Sequence, residues 1–170
     1  AFNHPFNLAV HQVIPAIAVG CPVIIRPATQ TPMSAIKLVE ILKEAGLPNG
    51  WAQAVVCDRN AGELLVTSPK TAFFTFIGSG PVGWYLNSKS SPGTRSALEH
   101  GGVAPVIVEP DADIEAMIPD LVKGGFYHAG QVCVSVQRIF VHESIANTVA
   151  SKIAEKASKL VVGNQLDPKT

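Results

Sequence analysis

Short β-branched runs alternate along the chain with amphipathic stretches of helical length, and each change of period predicts a change of element. The longest apolar reach, "LAVHQVIPAIAVGCPVII" (Leu8 to Ile25), is about the length of a membrane span. It is broken by His11, Gln12, two prolines and a glycine, so it reads as a helix followed by the buried strand "PVIIR". Thr31 is placed to cap the next helix: Pro32 lies in its first turn, Ile36, Val39 and Leu42 recur at helical spacing, and Gly46 and Pro48 stop it. "AQAVV" (Ala52 to Val56) reads as a strand, Ala61 to Val66 as a short helix, and "TAFFTFI" (Thr71 to Ile77) as a strand. That strand runs into "GSGPVG" and a helix from Pro81 to about Lys89.

The loop "NSKSSPGT" leads to "SALEHGG", to which the alternation assigns no element, although Glu99 there also reads as a solvated strand-end carboxylate. Beyond Gly102 the alternation restarts with strand "PVIVE", a helix from about Ala112 to Lys123, a cysteine-bearing loop, strand "RIFVHE" and a helix from Ser144 to Leu160. This order predicts an α/β layer structure around a largely parallel sheet. The pair Gly101–Gly102 is the expected boundary between a unit over 1–102 and a second over 103–170.

Composition narrows the partners. Thirteen basic and thirteen acidic residues leave no net charge, so no global field recruits nucleic acid or an anionic membrane, and a small molecule is the expected partner. A hydrophobic content of 47% is enough for a real core. Three cysteines, Cys21, Cys57 and Cys133, are odd in number and unpaired in spacing, which does not describe a secreted disulfide framework. With no signal-like start to the sequence, the expected compartment is the cytoplasm.

Two stretches could carry chemistry. "GSGPVG" places Gly78, Gly80 and Gly83 at GxGxxG spacing between a strand and a helix N-terminus, where backbone N–H groups can receive a diphosphate. The same glycines also suit a tight turn with close packing. A dinucleotide-fold reading then gives Glu99, about 20 residues on, to the adenosine ribose. In "GGFYHAGQVCVSV", Cys133 can be a packed small hydrophobe or a nucleophile with His128 or His142 as base. A zinc site lacks the second cysteine that its spacing requires.

Taken together, "FNHPFNLAVHQVIPAIAVGCPVIIRPATQTP", "FIGSGPVG", "LEHGG" and "GQVCVSVQRIFV" resemble the aldehyde dehydrogenase superfamily, in order and over essentially the whole chain. The separations of Asn3 from Arg26 and of Glu99 from Cys133 fit the resemblance. "PFN" at Pro5 to Asn7 imitates the motif of the family's oxyanion asparagine, but alignment on "PAIAVG" and "RPATQTP" selects Asn3, after Phe2, over Asn7.

The resemblance implies an incomplete aldehyde dehydrogenase fold: a Rossmann-like cofactor-binding segment followed by the first part of a catalytic domain. It implies oxidation of an aldehyde to a carboxylate by NAD(P)+ through a thiohemiacetal and a thioester. Cys133 is then the nucleophile, Asn3 and the Cys133 backbone N–H the oxyanion donors, and Glu99 the base that activates water. Gly78, Ser79 and Gly83 fall to the diphosphate, and Phe2 lies beside the cofactor. Arg26 stands where the family usually has a lysine near the adenosine ribose, and Thr29 where NAD-preferring members often have glutamate. A guanidinium suits phosphate, so NADP is expected to be accepted and even preferred.

The resemblance further implies a homo-oligomeric parent of which this chain is a central fragment, inactive and poorly folded when made alone. The cysteine loop is similar in style to that of members acting on small polar aldehydes. His100 occupies a position usually apolar in the family. Two other readings compete: a catalytically inactive binding member of the same fold, and a thiol hydrolase or acyltransferase that needs no nicotinamide.

Overall fold

Helix α1 (Pro5–Ala18) opens with proline in its first turn, where the missing N–H is one of those a helix leaves unpaired anyway. It ends at Gly20, whose φ of +84° reverses the chain. The Gly20 N–H donates to the Ile17 carbonyl and the Cys21 N–H to the Ala16 carbonyl, so the last turn is closed by its own backbone. Helix α2 (Pro32–Glu44) ends the same way at Gly46, with Leu47 N–H on the Leu42 carbonyl. The Leu8–Ile25 reach is thus a helix and then strand β1 (Val23–Ile25), and no helix of the protein is long and apolar enough to cross a membrane.

The computed structural model describes residues 1–170 and divides into two units, Ala1–Gly101 and Gly102–Thr170. In the first, β1 pairs in parallel with β2 (Ala52–Ala54). Ala9 and Val13 of α1 and Leu38 of α2 form a core over which Val23, Ile25 and Leu42 close. Thr31 stands at the α2 N-cap, as its position predicts, but its hydroxyl makes no capping bond and is buried without a partner. Asp58, by contrast, does cap α3 (Arg59–Thr67), accepting from the Ala61 N–H at 2.8 Å. The helix therefore starts two residues before the apolar pattern does.

Strand β3 (Phe73–Gly78), helix α4 (Gly80–Lys89) and strand β4 (Arg95–His100) complete this unit. Strand β4 is the element the pattern did not predict. Its residues "RSALEH" carry no β-branched side chain, and it is a strand because six residues pair in parallel with β3, from Phe73↔Arg95 to Gly78↔His100. Cross-strand pairing here overrides weak intrinsic preference.

The second unit is built on β5 (Ala104–Val108), α5 (Ile114–Phe126), β6 (Val136–Val141) and α6 (Ala146–Ser158). Asp113 takes the α5 N-cap, accepting from Ala116 N–H, so the helix begins two residues later than its pattern suggests. It runs on through Gly124 and Gly125. A Cβ at Gly124 would come within 2.8 Å of Val136 Cγ2, so the glycine lets helix and strand meet. Ile118 and Val122 of α5 pack on Val149 of α6, with Val141 from the sheet joining them.

The architecture is α/β with parallel pairing throughout. In place of one broad sheet, however, the strands form three separate pairs, β1–β2, β3–β4 and β5–β6. Parallel strands ordinarily have both faces covered. Here Val106, Val108 and Val141 turn towards the helices, while Ile107 (74% exposed) and Phe140 (56% exposed) stand on an uncovered face.

Candidate functional site

In the first unit three features bear on the sequence expectations. The first is the turn between β3 and α4. A Cβ at Gly78 would strike the Phe76 ring, and one at Gly83 would lie 2.9 Å from the His100 ring and 3.1 Å from Phe76. Close packing inside the unit therefore accounts for these two glycines. The same contacts supply the physical account of His100: its ring fills the room left by Gly80 and Gly83 and meets Trp84 edge-on at 5.6 Å. What faces outward is Ser79, exposed at the α4 N-cap and making no side-chain cap bond, above a first turn without an acidic residue. Such a turn carries N–H donors and the positive end of the helix dipole, which together suit an anion.

The second feature is the segment before α1. Asn3 is half-buried there, whereas Asn7 is exposed in the first helical turn and Phe2 is 51% exposed. Ala1, Gln12, Arg26, Ala28 and Thr31 line a small cavity of about 30 Å³. The register of β3 and β4 sets Glu99 level with Ile77, just before the glycine turn.

The third is Arg26 itself. It is exposed, donates from Nη2 to the Cys57 carbonyl at 3.2 Å, and takes part in none of the three ion pairs of the structure. A Cβ at Gly62 would lie 3.1 Å from Arg26 Nε, so the glycine at the start of α3 gives the guanidinium its bed. Thr29 is exposed in a turn closed by the Thr31 N–H on the Ala28 carbonyl.

In the second unit Cys133 is an exposed free thiol on a tight turn, closed by the Ser135 N–H on the Val132 carbonyl at 3.0 Å. Ser135, 3% exposed, anchors the turn by donating its hydroxyl to the Gly125 carbonyl. Upstream, His128 and Ala129 both have φ of 55° and Gly130 follows at 71°, three left-handed residues in a row. For two non-glycine residues that conformation costs energy which the surrounding packing must hold. A cavity of about 220 Å³ lies beside the turn, lined by Lys123, Tyr127, Val132 and Val134 among others.

The two histidines considered as bases separate here. His142 follows the far end of β6, roughly 20 Å along the strand from the cysteine turn, and its Nδ1 is engaged with Ser144. His128 stands on the strained segment with its ring 5.9 Å from that of Tyr127. Residue-type reasoning missed Ser135, a lone polar position inside a β-branched run, and Gly102, whose backbone lies directly against the Cys133 peptide.

Comparison with known proteins agrees with this architecture. The model of the aldehyde dehydrogenase family matches residues 1–170. The chain is 44% identical over 171 residues to a 3-sulfolactaldehyde dehydrogenase of Priestia aryabhattai, covering 99% of this chain and 35% of that protein. Among solved structures it is similar to the Mycobacterium tuberculosis aldehyde dehydrogenase complexed with NAD+ (TM-score 0.95, 34% identity, 99% of this chain and 35% of that one). It is also similar to glyceraldehyde-3-phosphate dehydrogenase of Methanocaldococcus jannaschii complexed with NADP (TM-score 0.91, 39% identity, 99% and 38%). The chain spans about a third of the length of the curated relatives it matches. Sequence motifs, parallel α/β architecture and these matches over the whole chain agree that it belongs to the aldehyde dehydrogenase family.

Proposed function

We propose that a subunit carrying this chain oxidises an aldehyde to a carboxylate with a nicotinamide nucleotide, Cys133 being the nucleophile. The observation that carries the reading is the presentation of Cys133: a free, exposed thiol at the tip of a turn anchored by a buried serine and preceded by a strained segment.

As thiolate, Cys133 Sγ forms a bond to the aldehyde carbon, and the carbonyl oxygen takes up the negative charge. The Asn3 side-chain amide and the Cys133 backbone N–H donate to that oxygen, one such donor being worth about 3 to 4 kcal/mol. A nicotinamide nucleotide, when bound, supplies the acceptor for the hydride lost from the former aldehyde carbon. Glu99 takes a proton from water, and the resulting hydroxide equivalent cleaves the thioester, releasing carboxylate and returning the thiol.

The residues fit such a nucleotide. Ser79 and the uncapped first turn of α4 suit the diphosphate, with Gly78 and Gly83 shaping that turn and Phe2 lying beside the cofactor. Arg26 offers a guanidinium held by Cys57 and Gly62, which suits a 2′-phosphate. Thr29 brings no charge to repel one. We read the units as the cofactor-binding part, to about Gly102, and the start of the catalytic part. The substrate class in best accord with the relatives' names is a small polar aldehyde, as in 3-sulfolactaldehyde dehydrogenase. The parent subunit is read as a cytoplasmic homo-oligomer.

Mixing the full-length protein with excess aldehyde and NAD(P)+ should give a stoichiometric burst of NAD(P)H before steady state. An inactive binding member gives none, nor does a thiol acyltransferase, so absence of the burst with a panel of small polar aldehydes would sink the proposal. For the cofactor, the wild-type protein should bind NADP+ at least as well as NAD+. Thr29→Glu should weaken NADP+ binding at least about tenfold, or ~1.4 kcal/mol, by placing a carboxylate against the phosphate. Wild-type affinity for NADP+ about tenfold below that for NAD+ would show that Arg26 and Thr29 do not select the phosphate.

A further inference from the structure

We infer that Gly102 and Gln137 form a seat that fixes the backbone of Cys133, which makes both positioning residues for the nucleophile. The inference rests on the reading of Cys133 given above. Strand β5 pairs Ala104 with Val136, yet the next pair is Pro105 with Arg138, so Gln137 is an extra residue on β6. A bulge fits there because Pro105 has no N–H to offer the ladder. Bulges re-aim the side chain they carry, and here Gln137 Nε2 donates to the Gly102 carbonyl at 3.2 Å.

Gly102 is held in turn against the cysteine turn. A Cβ built on it would overlap the Cys133 carbonyl oxygen, with the carbonyl carbon 2.9 Å and Cα 3.2 Å away. Those atoms are backbone, so no side-chain rotation could make room. On the other side, the Ala104 N–H donates to the Ser135 carbonyl at 3.3 Å and the Ser135 hydroxyl to Gly125. The Cys133 peptide is gripped between Gly102 and the buried serine. Gly101 differs from its neighbour: its φ is +71°, but a Cβ there meets nothing within 4 Å. The first glycine of "LEHGG" serves chain direction, and the second serves contact with the nucleophile.

The test uses the full-length enzyme and three variants, Gly102→Ala, Gln137→Met and Gly101→Ala. The readouts are the single-turnover acylation rate, the rate of Cys133 alkylation by iodoacetamide, and NAD(P)+ affinity. Displacing a reacting group by about 1 Å can cost about a hundredfold. Gly102→Ala should therefore lose about that much in acylation and slow alkylation, with cofactor affinity and KM near wild type. Gln137→Met removes one hydrogen bond and should fold normally while losing roughly three- to tenfold in acylation, as expected for about 1 kcal/mol.

Gly101→Ala should lower Tm but acylate within about twofold of wild type. Wild-type acylation by Gly102→Ala, or an equal loss in Gly101→Ala, would overturn the seat. If Gly102→Ala is not recovered folded, Gln137→Met decides, and its acylating at the wild-type rate overturns the inference. A burst surviving in Cys133→Ala would remove the nucleophile reading itself, a failure distinct from that of the seat.

Discussion

Cys133→Ala in the full-length subunit should abolish the NAD(P)H burst and lower kcat by at least about a thousandfold, ~4 kcal/mol, because it removes the sulfur proposed to attack the aldehyde. Cofactor affinity should be unchanged, since the residues proposed to hold the nucleotide all belong to Ala1–Gly101. Cys133→Ser separates presence from reactivity: it keeps the size and the hydrogen bonds of the turn, but an alcohol is far less nucleophilic than a thiolate. Its steady-state rate should fall nearly as far as that of the alanine variant. A Cys133→Ala subunit turning over within tenfold of wild type would show that the exposed thiol is not the nucleophile.

Glu99→Gln should separate the two halves of the reaction. The burst of one NAD(P)H per site should remain and cofactor affinity should stay within about twofold, while steady-state turnover falls by about 10² to 10⁴, the usual worth of a general base. The competing role has a structural rationale that deserves the test. Glu99 sits at the carboxyl end of the strand pairing with the one that feeds the glycine turn, which is also where a dinucleotide fold carries its ribose carboxylate. If cofactor affinity drops tenfold or more while deacylation survives, Glu99 is a ribose ligand. Titrating NAD(P)+ by fluorescence alongside the burst experiment distinguishes the two in one preparation.

The helices and the strands rich in β-branched residues were legible because their period and end signals agree: the Gly20 and Gly46 stops are visible in the sequence and operate as backbone-closed turns. Strand β4 was not legible. "SALEH" has neither alternation nor propensity, and only the presence of β3 beside it makes it a strand. The division into three strand pairs was equally hidden, since local pattern says which segments are strands and not which edges meet.

The family was legible from four ordered motifs, while the physical work of single residues within them was not. GxGxxG spacing suggested a ligand, yet Phe76 and His100 account for Gly78 and Gly83 by contact. The Thr31 signal for an N-cap marked the right position, but its hydroxyl caps nothing. Gly102 and Gln137 could not be found from sequence, because a bulge is defined by the partner strand.

The pairing of β3 with β4 also fixes a choice of charge. Glu99 and His100 are neighbours, so they leave the strand on opposite faces, and the observed register puts the imidazole against Gly80 and Gly83. A slip of one residue would send the carboxylate there instead, into the turn proposed to receive a diphosphate. Guarding against that slip, the Ser91 hydroxyl donates to the Thr67 carbonyl and the Thr94 hydroxyl to the Thr71 carbonyl, tying down both ends of the connection. The loop between α4 and β4 thus works as a ruler: its length decides which of two adjacent residues the glycine turn meets.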